Sequence, residues 1–284
     1  LVTLEAPEAA IGDNMLKHFN LVLCLVLTLS GVSGADELIY PVDVAVGPDE
    51  KIYVADHEAH ALLVLGENGF EIVAAGKGLP RTPLYGIRHI APDGDGNVLA
   101  GDPATMKLYK IDGAGNIEPV ADDDRFVTPW GIAIEKSGDL LAVDRVTHRL
   151  RRVKSDGTVS DVAEIRAPRA ILFDKEGAII VLTDKNLVRV KDGTTTSIAK
   201  SPPFEFPHDA VLHPDGNFYV SDGYARAIWK VTPDGTVTSF VKGDPLVSPQ
   251  GLAVDAKGNL LVADAHAKAI FLITPKGELS KLGQ

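Results

Sequence analysis

The chain has 284 residues, 28 of them basic and 39 acidic, for a net charge of −11 with histidine neutral. An acidic body is repelled by a phosphate backbone, so nucleic acid is not an expected partner. A single cysteine, Cys24, excludes an intramolecular disulfide framework.

The first feature in chain order is a targeting signal. Met15-Leu16-Lys17-His18 is a short polar start, Leu21 to Leu29 (LVLCLVLTL) is an apolar run too short to span a bilayer, and Ser33 and Ala35 put small residues three and one positions before a cleavage point. Residues 1–35 therefore read as a secretory signal peptide, with 1–14 an over-long gene start ahead of Met15, and 36–284 as the mature protein. That part keeps 27 basic and 36 acidic residues, a net charge of −9, and no thiol. A periplasmic or secreted monomer is expected, with no membrane span after cleavage.

From Tyr40 onward the chain repeats one unit six times, most cleanly at Ser248 to Leu282. There the Gly, Pro, Asp and Asn of turns bound four predicted strands, Gly251–Asp255, Asn259–Asp264, Ala269–Ile273 and Glu278–Leu282. The second, NLLVAD, is apolar at consecutive positions, as a strand covered on both faces must be. An Asp closing this strand recurs at Asp56, Asp102, Asp144, Asp184, Asp222 and Asp264. Four strands per unit of about 40 residues predict an all-β fold, a six-bladed β-propeller occupying 36–284, each blade covered by its neighbours. The pattern of Pro-x-Gly, an apolar strand, a Gly-Asn hairpin and Tyr-Val-Ala-Asp resembles the NHL-repeat family. That resemblance implies the same fold and leaves function open.

In such a blade the loop leading into strand one and the turn joining strands two and three share a face. This puts Val42, Asp43, Tyr85, Trp130, Arg169, His208, Asp209 and Gln250 at the channel mouth. His57, His60, Arg145, His148, Tyr224, Arg226 and His266 fall in the surrounding turns, His213 on the opposite face, and His89 inside a strand, outside the expected site. The closing Asp residues are expected to accept backbone hydrogen bonds in the following turn. His60 and His148 share a slot with Met106, Arg226 and Lys268, which argues for turn support. Asp93, Asp95 and Asn97 have the spacing of a calcium-loop start but sit at the hairpin every blade has. The basic run His148 to Lys154 reads as a solvated outer strand.

At the position after each blade-starting proline the repeat tolerates almost anything, yet Trp130, Arg169, His208 and Gln250 stand there. Tyr85, Trp130, Arg169, His208 and Gln250 are the expected ligand-binding residues, since aromatic and Arg side chains at a concave centre build binding sites. His208 with Asp209 and Asp43 is the expected metal set, because an imidazole near carboxylates makes a divalent-ion site or a general base.

The segment from Pro207 is also similar to the peptidylglycine amidating lyases. Pro207-His208-Asp209 matches their Pro-His-Asp, Ser221 to Tyr224 their Ser-Asp-Gly-Tyr, and Val143-Asp144-Arg145 their Ala-Asp-Arg. The resemblance implies His208 as a zinc ligand, with Tyr224 and Arg145 as catalytic residues. That family uses three histidine ligands, and the other blade starts here carry Trp130, Arg169 and Gln250; nor do they carry the Glu and Asn of gluconolactonase-like metal sites. The reading preferred from sequence is an extracytoplasmic propeller binding a small molecule or a protein partner at the mouth. The alternative is a metal-dependent lyase or hydrolase at the same place, its cofactor a divalent metal ion.

Overall fold

The six copies of the repeat form six antiparallel sheets of four strands, each in sequential order, in a computed structural model that describes residues 37–121 and 123–283. Residues 1–35, read from sequence as a signal peptide with a start at Met15, lie outside the described residues. Blade one holds β1 (Pro41–Val46), β2 (Ile52–Asp56), β3 (Ala61–Gly66) and β4 (Gly69–Ala75). Blade two holds β5 (His89–Pro92), β6 (Val98–Asp102), β7 (Lys107–Ile111) and β8 (Ile117–Pro119). Blade three holds β9 (Pro129–Ile134), β10 (Leu140–Asp144), β11 (Arg149–Val153) and β12 (Val159–Glu164). Blade four holds β13 (Pro168–Phe173), β14 (Ile179–Thr183), β15 (Leu187–Lys191) and β16 (Thr194–Ser197). Blade five holds β17 (Pro207–Leu212), β18 (Phe218–Asp222), β19 (Ala227–Val231) and β20 (Val237–Lys242). Blade six holds β21 (Pro249–Val254), β22 (Leu260–Asp264), β23 (Ala269–Ile273) and β24 (Leu279–Lys281), close to the bounds predicted from sequence. The described residues form no helix.

The first strands make an inner ring in which β1 packs on β5, β5 on β9, β9 on β13, β13 on β17, β17 on β21, and β21 on β1. Ring closure comes from packing. Among the described residues no early strand joins the sixth sheet. Leu38, Val44, Val54, Leu63 and Phe70 instead share one buried cluster with Ala253, Leu261, Ala263 and Ile270. Each fully buried leucine or valine there contributes roughly 1.5–3 kcal/mol relative to exposure, and the cluster is shared between the first and sixth blades.

The closing Asp works as expected in five blades. Asp144 accepts from the N–H groups of Val127 and Thr128 in its lead-in loop and of Val146 and Thr147 in its turn. Asp56, Asp102, Asp222 and Asp264 do the same. Blade four departs: Pro168 pairs with Thr183 as Pro129 pairs with Asp144, so Thr183 holds the slot and Asp184 lies one residue beyond it. The Thr183 hydroxyl accepts from Lys185 and Asn186 N–H in place of the carboxylate.

The left-handed turn residues His60, Met106, His148, Arg226 and Lys268 have φ between 50° and 60°. From this slot His60 Nδ1 meets Tyr85 O at 2.9 Å, His148 Nδ1 accepts from Ala167 N–H at 3.2 Å, and Arg226 Nε donates to Leu246 O at 2.8 Å. Each turn thereby pins the lead-in loop of the following blade. The hairpin at Asp93 is an Asx turn: its carboxylate accepts from Asp95 N–H, Asn97 N–H and the Asn97 amide, and Asp255 repeats the pattern. Along β11, Arg149, Arg151 and Arg152 are paired with Glu164, Asp161 and Glu135.

Candidate functional site at the channel mouth

The inner strands begin at the mouth, so the residue after each starting proline faces the axis region from its own blade. Val42, Trp130, Arg169, His208 and Gln250 hold that position in blades one, three, four, five and six. In blade two the register places His89 opposite Gly101 as Asp43 lies opposite Ala55. Arg88 therefore holds the slot, and the mouth position expected for Tyr85 is corrected. Tyr85 lies on the lead-in loop, stacked on His60 with ring centroids 4.7 Å apart. The cause is an extended loop before β5, visible in sequence as the long first spacing between Asp56 and Asp102.

One position further in, the inner ring carries Asp43, His89, Gly131, Ala170, Asp209 and Gly251. Asp43 and Asp209 are buried and stitch blades together: Asp43 accepts from Val44 N–H and, across the blade boundary, Ile90 N–H at 2.8 Å. Asp209 accepts from Ala210 N–H and from Leu252 N–H of blade six at 2.8 Å. His89 reaches both, with Nδ1 at 3.6 Å from Asp43 and Nε2 at 3.4 Å from Asp209. Burial alone pulls His89 down, but Asp43 and then Asp209 outweigh it and hold the imidazolium up to about 9. Burial pushes the Asp43 carboxyl up to about 7 against the opposing pull of His89. His89, left out of the site expected from sequence, is its centre. Above the triad is a cavity of about 20 Å³, room for one water or one small ion, lined by Val42, Arg88, Trp130, His208 and Gln250 with the triad itself.

The mouth around this cavity is cationic although the protein is acidic. Arg88 and Arg145 each place the guanidinium carbon 4.9 Å from the Trp130 ring, and Arg169 lies 4.2 Å from the Phe206 ring. Burial, reinforced by Arg169, Arg88 and Arg145, lowers His208 to about 3, so it is a neutral imidazole. Burial and Arg145 lower Arg169 to about 10, still a full cation at neutral pH. Gly223 makes room for His208, since a Cβ there would come within 2.9 Å of its Nε2. Phe206 lies between His208 and Tyr224, edge-on to the first at 4.9 Å and stacked on the second at 4.6 Å. Tyr224 is 72% exposed. The structure thus gathers Trp130, Arg145, Arg169, His208 and Gln250, attaches Tyr224 through Phe206, and adds Arg88, which sequence reasoning missed together with His89.

A model of the NHL repeat matches residues 38–65, from the lead-in of blade one into β3, and the same unit recurs in the other five sheets. The chain is a six-bladed propeller with an NHL repeat in its first blade. Solved structures similar to this propeller include virginiamycin B lyase from Staphylococcus aureus, 18% identical over 87% of this chain and 85% of that one, with a TM-score of 0.67. A gluconolactonase from Xanthomonas campestris is 12% identical over 87% and 88% of the chains, with a TM-score of 0.71. A PQQ-bound aldose sugar dehydrogenase from Streptomyces coelicolor is 13% identical over 88% and 93%, with a TM-score of 0.66. At these identities the likeness establishes the shared fold.

The residues of the propeller fit one divalent ion at a group that keeps Asp43 and Asp209 of the expected metal set and exchanges its histidine. Asp43, His89 and Asp209 offer ligand atoms within 4.8 Å of one another, and His89 Nδ1 is buried without a hydrogen-bond partner. One imidazole and two carboxylates suit a hard or borderline cation, which would supply Lewis acidity toward a group in the cavity. His89, not His208, is the histidine of this set. The His89 proton holds the same place between the two carboxylates, so an ion must displace it.

Proposed function

We propose that this NHL propeller is an extracytoplasmic protein that binds a small ligand at the channel mouth. The observation that carries the reading is the convergence of Arg88, Trp130, Arg169, His208 and Gln250, one from each of five blades, over a closed polar floor. A larger groove of about 560 Å³ runs between the outer parts of blades four and five. Its Arg189 is paired with Asp174, and no aromatic side chain but Phe218 lines it. A concave, axial site lined by aromatic and Arg side chains suits a small molecule inserted from above better than a flat protein surface. The test is a thermal-shift and fluorescence screen of sugar lactones, organic acids and phosphate compounds. A compound that stabilises the wild type and loses its effect in Trp130→Ala is expected; equal response of both proteins to every compound refutes the reading.

The second reading is a metal-dependent lyase or hydrolase at the same mouth, favoured by the Asp43–His89–Asp209 group and by lyase and lactonase neighbours sharing the fold. In that reading the three residues hold the ion, Arg169 and Arg88 orient the substrate, and neutral His208 takes or gives a proton beside it. Tyr224 is held at the rim, stacked on Phe206, where its phenol can meet a bound substrate. Elemental analysis after dialysis separates the readings. One divalent ion per chain in the wild type, absent from His89→Ala, selects the metal enzyme, and a metal-free wild type selects simple binding.

A further inference from the structure

We infer that the ligand of the channel mouth carries an oxyanion, a carboxylate or phosphate group, and that Arg169 receives it. The inference deepens the small-ligand reading and rests on it.

Arg169 is 2% exposed, among the largest fully buried side chains of the protein. Its Nε and Nη1 are buried and make no hydrogen bond. Burying a guanidinium with unpaired donors is costly, and contact with the Phe206 face offsets only part of that cost. The neighbouring charges do not complete the pairing. Asp184 and Asp222 are close enough to act electrostatically on Arg169, and Arg145 opposes them. The Asp222 oxygens are already taken by the N–H groups of Glu205, Phe206 and Ala225 and by Trp229 Nε1.

The other two mouth arginines are arranged alike. Arg88 and Arg145 flank Trp130, and among the described residues neither forms an ion pair with a carboxylate, in contrast to Arg149, Arg151 and Arg152 on the outer strand. A chain with 39 acidic residues thus leaves unpaired three cations that all lie close enough to His208, in the wall of the cavity, to act on it. A planar guanidinium pairs bidentately with carboxylate or phosphate, and the low-dielectric, half-closed setting strengthens that pairing. Trp130 and the Phe206–Tyr224 stack supply apolar walls for the rest of the molecule. His208, neutral in this field, adds a hydrogen-bonding group without a competing charge.

The test uses the mature chain with sodium phosphate and sodium acetate as probes, against sodium chloride at matched ionic strength. Melting temperature and Trp130 fluorescence, the latter from the difference between wild type and Trp130→Phe, are read as titrations. Saturable stabilisation of the wild type by phosphate, by acetate, or by both is expected, and whichever responds identifies the oxyanion. Arg169→Gln should weaken the response about tenfold to a hundredfold, the range for losing hydrogen bonds to a charged group. Arg125→Gln, an exposed arginine paired with Asp123, should leave it unchanged. Should Arg169→Gln not fold, Arg88→Gln carries the same comparison. The inference is overturned if neither anion exceeds chloride in the wild type, or if the mouth variant keeps the full response. A neutral sugar lactone that perturbs Trp130 while the anions do nothing overturns the oxyanion but keeps the mouth as a ligand site; silence from lactone and anions alike fails both.

Discussion

His89 and Asp209 meet at 3.4 Å from opposite sides of the ring, one from blade two and one from blade five. The contact converts a structural carboxylate, which stitches β17 to β21 through Leu252 N–H, into half of a clamp around a protonated imidazole. Any anion or cation arriving at the mouth meets this pair as its floor.

Stability should fall as the clamp loses its proton. The His89 imidazole rises from its ordinary 6.5 to about 9 in the native protein, so the folded state binds that proton more tightly than the unfolded one. The sign follows: the contribution is complete below about pH 6.5, declines between there and 9, and is absent above, amounting to roughly 1–3 kcal/mol. Urea midpoints at pH 6, 8 and 10 should fall steadily in the wild type and more shallowly in His89→Gln.

Gly251→Ala should destabilise the inner ring by about 1–3 kcal/mol, as overpacking does. A Cβ there would stand 2.3 Å from Asp43 Oδ1 and 2.4 Å from Asp43 Cα, forcing β1 away from β21 where the ring closes. Gly131→Ala meets the Arg169 carbonyl oxygen at 2.3 Å and should also disturb the mouth. Thermal melts and the anion titration together read both effects.

Arg169→Met should raise stability in the absence of ligand, by about 1 kcal/mol or more, since a buried cation with unpaired donors gives way to an apolar chain. For a domain of this size that is a melting temperature higher by roughly 2–4 °C. A clear fall in melting temperature would show that the cation is satisfied within the chain.

Deleting blade six, residues 248–284, should leave no native-like remnant. The cluster that closes the ring draws Leu63 and Phe70 from one end of the repeat array and Leu261 and Ile270 from the other, so the truncation uncovers faces of both neighbours. An insoluble or molten product is expected in size-exclusion and calorimetric runs. A monomer with a sharp thermal transition would contradict closure by packing.

Sequence by itself determined the repeat, the strands and the scaffold role of the closing Asp, because these depend on local patterns of turn residues and apolar runs that each unit carries whole. It also marked Trp130, Arg169, His208 and Gln250, since departures from a repeat stand out against it. Which side chains meet was decided only by the closed ring. An extended loop before β5 shifted blade two out of the simple alignment, hiding Arg88 behind Tyr85 and His89 inside a strand, and Thr183 took the slot that Asp184 would have filled. Asp43, His89 and Asp209 lie in three different blades, far apart in sequence. Their contact follows from the way six sheets narrow toward one axis, which no single repeat encodes.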